Sequence, residues 1–373
     1  MNISAVICEY NPFHNGHKYM LDEMKRSGSD CIIACMSGNF TQRGEPAVLD
    51  KNIRAAAAVR NGADLVIELP VTYACSGAER FAMGGVYILD KCGCADRLCF
   101  GSEEGSLDVL VKAAAAEKDP LTAAKIKEYL KDGRTFASAR EAAMRDIIGG
   151  SADILKQPNN ILGVEYIKAL ASLGSSMEPF TIKRKGSAHD SENPEGDTAS
   201  ASFIRKLMRD GEDYSKYVPQ SEKQVSGIVD MNALEGAVLY RLKTMFREEY
   251  SALPDMSEGL ENRLYNAARD GNSVEEIMMA AKCKRYTLAR IRRAVMHSFL
   301  RLTEKDFELK PQYIRVMGFS ETGREALKLM KKTARLPIVT RQSDVMKLSG
   351  EGRYLIELER RCDRIYSLFS GGA

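Results

Sequence analysis

The sequence predicts an α/β fold, with a parallel, helix-flanked sheet over residues 1–220 and a mainly α-helical, basic region over residues 221–373. Three observations predict it. Short apolar runs alternate with helical segments through the first part, the pattern of strands and crossover helices. Polar loops follow directly on the ends of several runs, where parallel sheets build their sites. The second part has little strand pattern and long helical periodicity.

The first run is Ala5 to Cys8, too short and too closely followed by turn residues to be a helix. Asn11-Pro12 marks a turn, because Pro12 keeps Asn11 out of helical geometry. Gly16 permits a close backbone approach or a positive φ. From His17 onward the residues suit a helix, with Met20, Leu21 and Met24 at core-facing spacing. Cys31 to Met36 is the second strand. The loop after it, Ser37 to Pro46, is polar and glycine-rich. Asp50 caps a helix that runs to Arg60 through four consecutive alanines. Ala63 to Leu69 is a strand ended by Pro70, Glu79 to Asp90 a helix, and Asp96 to Phe100 a fourth strand.

That strand runs into Gly101-Ser102-Glu103. A flat base or ribose can lie on the Gly101 backbone, or the segment is a plain strand-to-helix turn with Ser106 as cap. Helices follow from Ser106 to Ile148, broken near Pro120 and Gly133. Gln157 to Gly163 opens another helix, which runs to about Leu173. Adjacent Asn159 and Asn160 fit a cap, or one cap and one nucleotide contact. Glu178 to Arg184 is a strand ending in the basic cluster Lys183, Arg184 and Lys185, before a loop with His189 and Asp190.

The chemistry concentrates at the first turn. A helix N-terminus presents unpaired N–H groups and a partial positive charge, and so seats phosphate. His14 and His17 flank Gly16, and only four His occur in the chain. Both imidazoles can donate to one phosphate and stabilise charge as it develops. No group there attacks phosphorus, so catalysis rests on positioning and electrostatics. Thr198 to Arg205 repeats the theme: a small, hydroxyl-rich turn enters a helix with a basic residue in its first turns.

A chain of 373 residues fits two domains, each able to bury a core. No run approaches a transmembrane length and no signal peptide opens the chain, so a soluble cytoplasmic protein is expected. Nine Cys, mostly in apolar contexts, fit reduced thiols better than a disulfide framework. Cys92-Gly93-Cys94 lacks a second pair at ligand spacing, and no metal site is expected. From Ser226 onward there are 26 basic against 20 acidic residues; before it the count is 28 against 31. Lys282 to Arg301 holds seven cations and no acid, and is expected to form a helical polyanion-binding face with Lys284, Arg285, Arg292 and Arg293 clustered on it.

His14-Asn15-Gly16-His17 after a first strand resembles the H-x-G-H signature of the nucleotidylyltransferases. Thr198 to Arg205 partly resembles their second motif, with Ala199 and Ala201 in place of two usual side chains. The longer strings EYNPFHNGH, SGNFTQRGEPA, DKNIRAAAAVRNGADLVIELP, FGSE, KQPNNILGVEYIKAL and SASFIRK resemble the bacterial tRNA(Met) cytidine acetate ligases. That resemblance implies a HUP-type, Rossmann-like domain using ATP, with Mg, and acetate. It implies acetyl-adenylate formation, then acetyl transfer to the exocyclic amine of the wobble cytidine of elongator tRNA(Met). By the same resemblance Ile7, Cys8, Glu9, Tyr10, Asn11, Pro12, Phe13, His14, Asn15, Gly16, His17, Lys18, Tyr19 and Met20 would wrap the ATP. His14 and His17 would be catalytic. Gly101, Asn160 (or Asn159) and Arg184 (or Lys183 or Lys185) would add contacts, and Ser200, Ser202 and Arg205 would hold the triphosphate. An adenylyltransferase acting on a small phosphorylated acceptor, and an RNA-binding module with an idle nucleotide fold, stay open as alternatives.

Overall fold

The computed structural model describes residues 1–134, 136–185, 194, 196–223 and 227–370. The loop with His189 and Asp190 lies outside them. The strands are β1 (Ile3–Cys8), β2 (Cys31–Ser37), β3 (Leu65–Leu69), β4 (Arg97–Ser102), β5 (Glu178–Lys183), β6 (Ile314–Phe319) and β7 (Ile338–Val339). They form one sheet in the order β5-β4-β1-β2-β3-β6-β7. The first five run parallel. β6 joins β3 antiparallel, and β7 lies parallel to β6.

Strands β1, β2 and β3 are buried throughout, because helices cover both faces of a parallel sheet. The two-residue period sorts their side chains. Ala5, Ile7, Ile33, Cys35 and Ile67 enter one core; Val6, Cys8, Ile32, Ala34 and Val66 enter the other. All nine cysteines are free thiols.

Helix α1 (Asn15–Arg26) begins two residues before the expected His17, because the His14 side chain acts as its cap. Helix α2 (Lys51–Arg60) is capped by Asp50, whose carboxylate accepts from the Asn52 amide at 2.7 Å. The helix Leu107–Lys118 has Ser106 at its cap position without a side-chain bond, so that expected cap is not made. Breaks fall before Pro120 and around Gly133, as the sequence predicts.

A second core joins the helices Met231–Thr244, Leu260–Asp270, Val274–Ala281 and Leu288–Leu300 through Leu234, Val238, Leu264, Ile277 and Ile291. It also takes in Phe40 from the loop after β2, and Leu358, Cys362 and Tyr366 from the C-terminal helix Gly350–Ser367. The Tyr366 hydroxyl donates to the Ala47 carbonyl at 2.8 Å. Beneath this seam the Lys51 ammonium lies 2.5 Å from both Glu68 and Asp363, and Arg315 reaches Glu68 at 3.0 Å. Burial pulls the Glu68 carboxyl up, but Lys51 and Arg315 outweigh it and hold it below the usual range.

The basic stretch differs from expectation. The helix starts at Leu288, capped by Thr287. Lys284 and Arg285 lie in the preceding turn, closed by a Cys283–Tyr286 bridge. Arg290 pairs with Asp255 at 3.3 Å and Glu258 at 3.4 Å; Arg292 pairs with Glu45 at 3.1 Å; Arg293 is mostly buried. Lys284, Arg285, Arg292 and Arg293 therefore do not share a solvated face. The acids that Arg292 and Arg293 meet, Glu45 and Asp255, come from distant parts of the chain, beyond a local charge count.

Candidate active site

The site lies where strand order reverses, between β1 and β4, at the C-terminal ends of the strands. The loop leaving β1 holds Tyr10 at φ 48°, and the Asn11–Pro12 peptide is cis. The Tyr10 ring packs edge-on against Phe13 and His17, each at 4.9 Å. Buried Arg54 fixes the loop from below. It donates to the carbonyls of Glu9 and Gly38, and to those of Leu49 at 2.9 Å and Ser37 at 3.2 Å.

His14 and His17 are locked by the backbone. The Gly16 amide donates to His14 Nδ1 at 3.0 Å, and the His14 amide donates to His17 Nδ1 at 3.3 Å. The rings stack with centroids 3.7 Å apart. A side chain at position 16 would bring a Cβ within 2.9 Å of His14 Cε1, so glycine is required between the two. Burial, then Arg184 and Arg205, push the His14 imidazole down to about 3. Burial, then His14 and Arg184, hold His17 well below its ordinary value. Both rings are neutral at pH 7. With each Nδ1 accepting, each proton sits on Nε2, and both become donors.

The second motif faces them. Ser200 caps the helix Ala201–Asp210 by accepting from the Phe203 amide at 3.1 Å, and lies 3.0 Å from the Ser202 hydroxyl. Arg205 donates to the Asn11 carbonyl at 2.8 Å, tying this helix to the β1 loop. On the opposite side a Cβ on Gly101 would lie 3.3 Å from Arg184 Cγ and 3.6 Å from Met20 Sδ, so glycine keeps that wall low. The cavity these elements enclose contains neutral donors, cations and hydroxyls, a set suited to a polyphosphate.

Of the expected residues, Ile7, Cys8, Glu9, Tyr10, Asn11, His14, Gly16, His17, Tyr19, Met20, Gly101, Asn159, Arg184, Ser200, Ser202 and Arg205 line this cavity. Pro12, Phe13, Asn15, Lys18 and Asn160 do not. Phe13 is buried in the core. Asn15 donates to the carbonyls of Asp197 and Lys216, at 2.8 and 3.1 Å, and Lys18 pairs with Asp22. Asn160 works as a brace: its amide donates to the Ile154 carbonyl at 3.1 Å and its oxygen accepts from the Glu104 amide at 3.0 Å. The cap of the helix Pro158–Leu173 is the Glu103 carboxylate, which takes the Asn160 amide at 2.9 Å.

Among the lining residues not singled out from sequence are Thr41, Gln42, Arg43 and Glu45, from the loop after β2. Their signal was present, since a polar loop at a parallel strand end is a site position. Gln42 is held by its amide donating to Glu9 Oε1 at 2.7 Å. Among the described residues no group of three or more His, Cys, Asp or Glu is arranged to hold a metal ion, and no helix is long and apolar enough to cross a membrane.

A family model described as "HIGH Nucleotidyl Transferase" matches residues 1–372. A tRNA(Met) cytidine acetate ligase of Thermoanaerobacter sp. is 45% identical over 92% of this chain and 89% of its own length. One from Caldanaerobacter subterraneus is 43% identical over 99% and 95%. The crystal structure of Thermotoga maritima TmcAL in its apo form superposes with a TM-score of 0.92 at 35% identity, over 99% of this chain and 95% of that one. The same protein bound with alpha-thio ATP superposes at 0.90, over 100% and 96%.

Proposed function

The chain belongs to the tRNA(Met) cytidine acetate ligase family within the HIGH nucleotidyl transferases, and from that premise we propose that it joins acetate to a cytidine of elongator tRNA(Met) at the expense of ATP. An acetate oxygen attacks the α-phosphorus, and pyrophosphate leaves. The exocyclic amine of the wobble cytidine then attacks the acetyl carbon of the adenylate. AMP leaves and the amine loses a proton, giving the N4-acetylated base.

In this reading His14 and His17 donate from Nε2 to the phosphate oxygens as charge builds on them. Arg205 and Arg184 add cationic donors from opposite sides, and Ser200 and Ser202 add hydroxyls. Gly101 leaves room for the nucleoside, with Asn159 beside it and Asn160 bracing its helix. Magnesium would enter with the nucleotide, held chiefly by phosphate oxygens. Residues 1–220 would carry the adenylation site. Residues 221–373 would engage tRNA, with exposed Lys282, Lys284 and Arg285 supplying phosphate contacts. A cytoplasmic setting fits the nine free thiols.

The observation that carries the proposal is the pair of backbone-locked, neutral imidazoles at the start of α1, facing Arg205. Acetate-dependent exchange of labelled pyrophosphate into ATP, without tRNA, tests it. Exchange that needs acetate supports the reading; exchange indifferent to acetate refutes it.

A further inference from the structure

The loop after β2 forms one wall of the cavity and is seated on the helix Leu288–Leu300. It closes on itself, with the Gly44 amide donating to the Thr41 carbonyl and the Thr41 amide to the Glu45 carbonyl, both at 3.0 Å. Its outer side has no slack. At Gly44, φ +75°, a Cβ would lie 2.4 Å from the Arg293 amide nitrogen and 2.5 Å from the Arg292 carbonyl carbon. From the same helix Arg292 Nη1 reaches Glu45 Oε1 at 3.1 Å.

Glu45 is one of two acids on a cavity lining that is otherwise rich in cations. The other, Glu9, takes the Gln42 amide. The Glu45 charge is felt by Arg205, which ties the second motif to the β1 loop. A polyphosphate entering this cavity meets the Glu45 carboxylate as a like charge unless a cation offsets it. Arg292 is a cation within ion-pair distance of that carboxylate, at 3.1 Å.

We propose that Arg292 is a positioning residue for the nucleotide: it masks the charge of Glu45, so that a cavity wall carrying an acid accepts a polyanion. The proposal rests on the reading of the cavity as the ATP site. It assigns to this helix a role in adenylation distinct from any contact with tRNA.

The test measures kcat and KM for ATP in acetate-dependent exchange of labelled pyrophosphate into ATP, without tRNA. The proteins are wild type, Arg292→Ala, Arg292→Lys and the double variant Arg292→Ala with Glu45→Gln. Arg292→Ala should raise KM for ATP about three- to fivefold with kcat little changed, the upper scale of one partly exposed pair. Arg292→Lys should keep most of the affinity. The double variant should return KM to within about twofold of wild type, because the unmasked anion is gone. A mere buttress predicts the opposite, since removing a second contact cannot restore a lost support. The proposal is overturned if Arg292→Ala leaves KM within about twofold, or if Glu45→Gln gives no relief. Failure of the wild-type chain to bind an ATP analogue by calorimetry would overturn the ATP reading as well. Normal binding by wild type and by Arg292→Ala alike would overturn only the masking role.

Discussion

His17 accepts the backbone amide of His14 through Nδ1 at 3.3 Å, while the two rings stack 3.7 Å apart. Each imidazole is therefore held in one tautomer by the chain itself. Replacing either by alanine is expected to lower adenylate formation on the order of 10²-fold, the cost of losing one charge-stabilising donor. Circular dichroism should report an intact fold. A folded double variant with near wild-type adenylate formation would remove the pair from the mechanism.

The same burial makes a stability prediction. Folding lowers the His14 pKa from 6.5 to about 3, so between these values the unfolded chain binds the extra proton. The neutral ring's contribution is fully present above the unfolded value and is lost as pH falls toward 3. Melting temperature should therefore fall on acidification from about pH 7 to pH 4, less steeply in His14→Ala. Equal slopes in both proteins would show that the ring does not titrate as described.

The proposed roles divide the basic stretch in two. Lys284→Ala with Arg285→Ala should weaken tRNA binding and flatten its salt dependence by about 0.7–0.9 per lost phosphate contact. Adenylate formation without tRNA should survive in that variant. Arg292→Ala with Arg293→Ala should instead impair adenylate formation. The comparison needs both activities across one salt series, and identical behaviour of the two double variants would erase the division.

Where the C-terminal helix meets the sheet, Lys51 joins Glu68 and Asp363 with its side chain only 2% exposed. Lys51→Met leaves buried Glu68 and part-buried Asp363 short of a partner, and should cost about 3–5 kcal/mol in chemical denaturation. A loss below about 1 kcal/mol would mean that Arg315 alone suffices.

Much of this was legible in the sequence, for identifiable reasons. β1 to β3 are buried on both faces, so they read as mainly apolar runs, with Glu68 the one charged residue among them. The first turn and the Thr198–Arg205 turn announced themselves through residue types that seat anions. β6 did not, because Ile314–Phe319 is only partly buried and its partner strand is far away; its Arg315 pairs with Glu68, 247 residues apart. The capping role of His14 was hidden because histidine is not a usual cap. Asn159 and Asn160 could be told apart only when the structure showed Asn160 held on both ends. The Arg292–Glu45 pair lay beyond any reading of local charge.

In the proposed reaction, acetate is activated by ATP and then passed to tRNA. The most direct test incubates the chain with labelled acetate, ATP and elongator tRNA(Met), then locates the label by nuclease digestion and mass spectrometry. The expected result is label on N4 of the wobble cytidine, strictly dependent on ATP, with one pyrophosphate released per acetyl group. Label arriving from acetyl coenzyme A without ATP, or ATP consumed with AMP left on another acceptor and no acetylated cytidine, would contradict it.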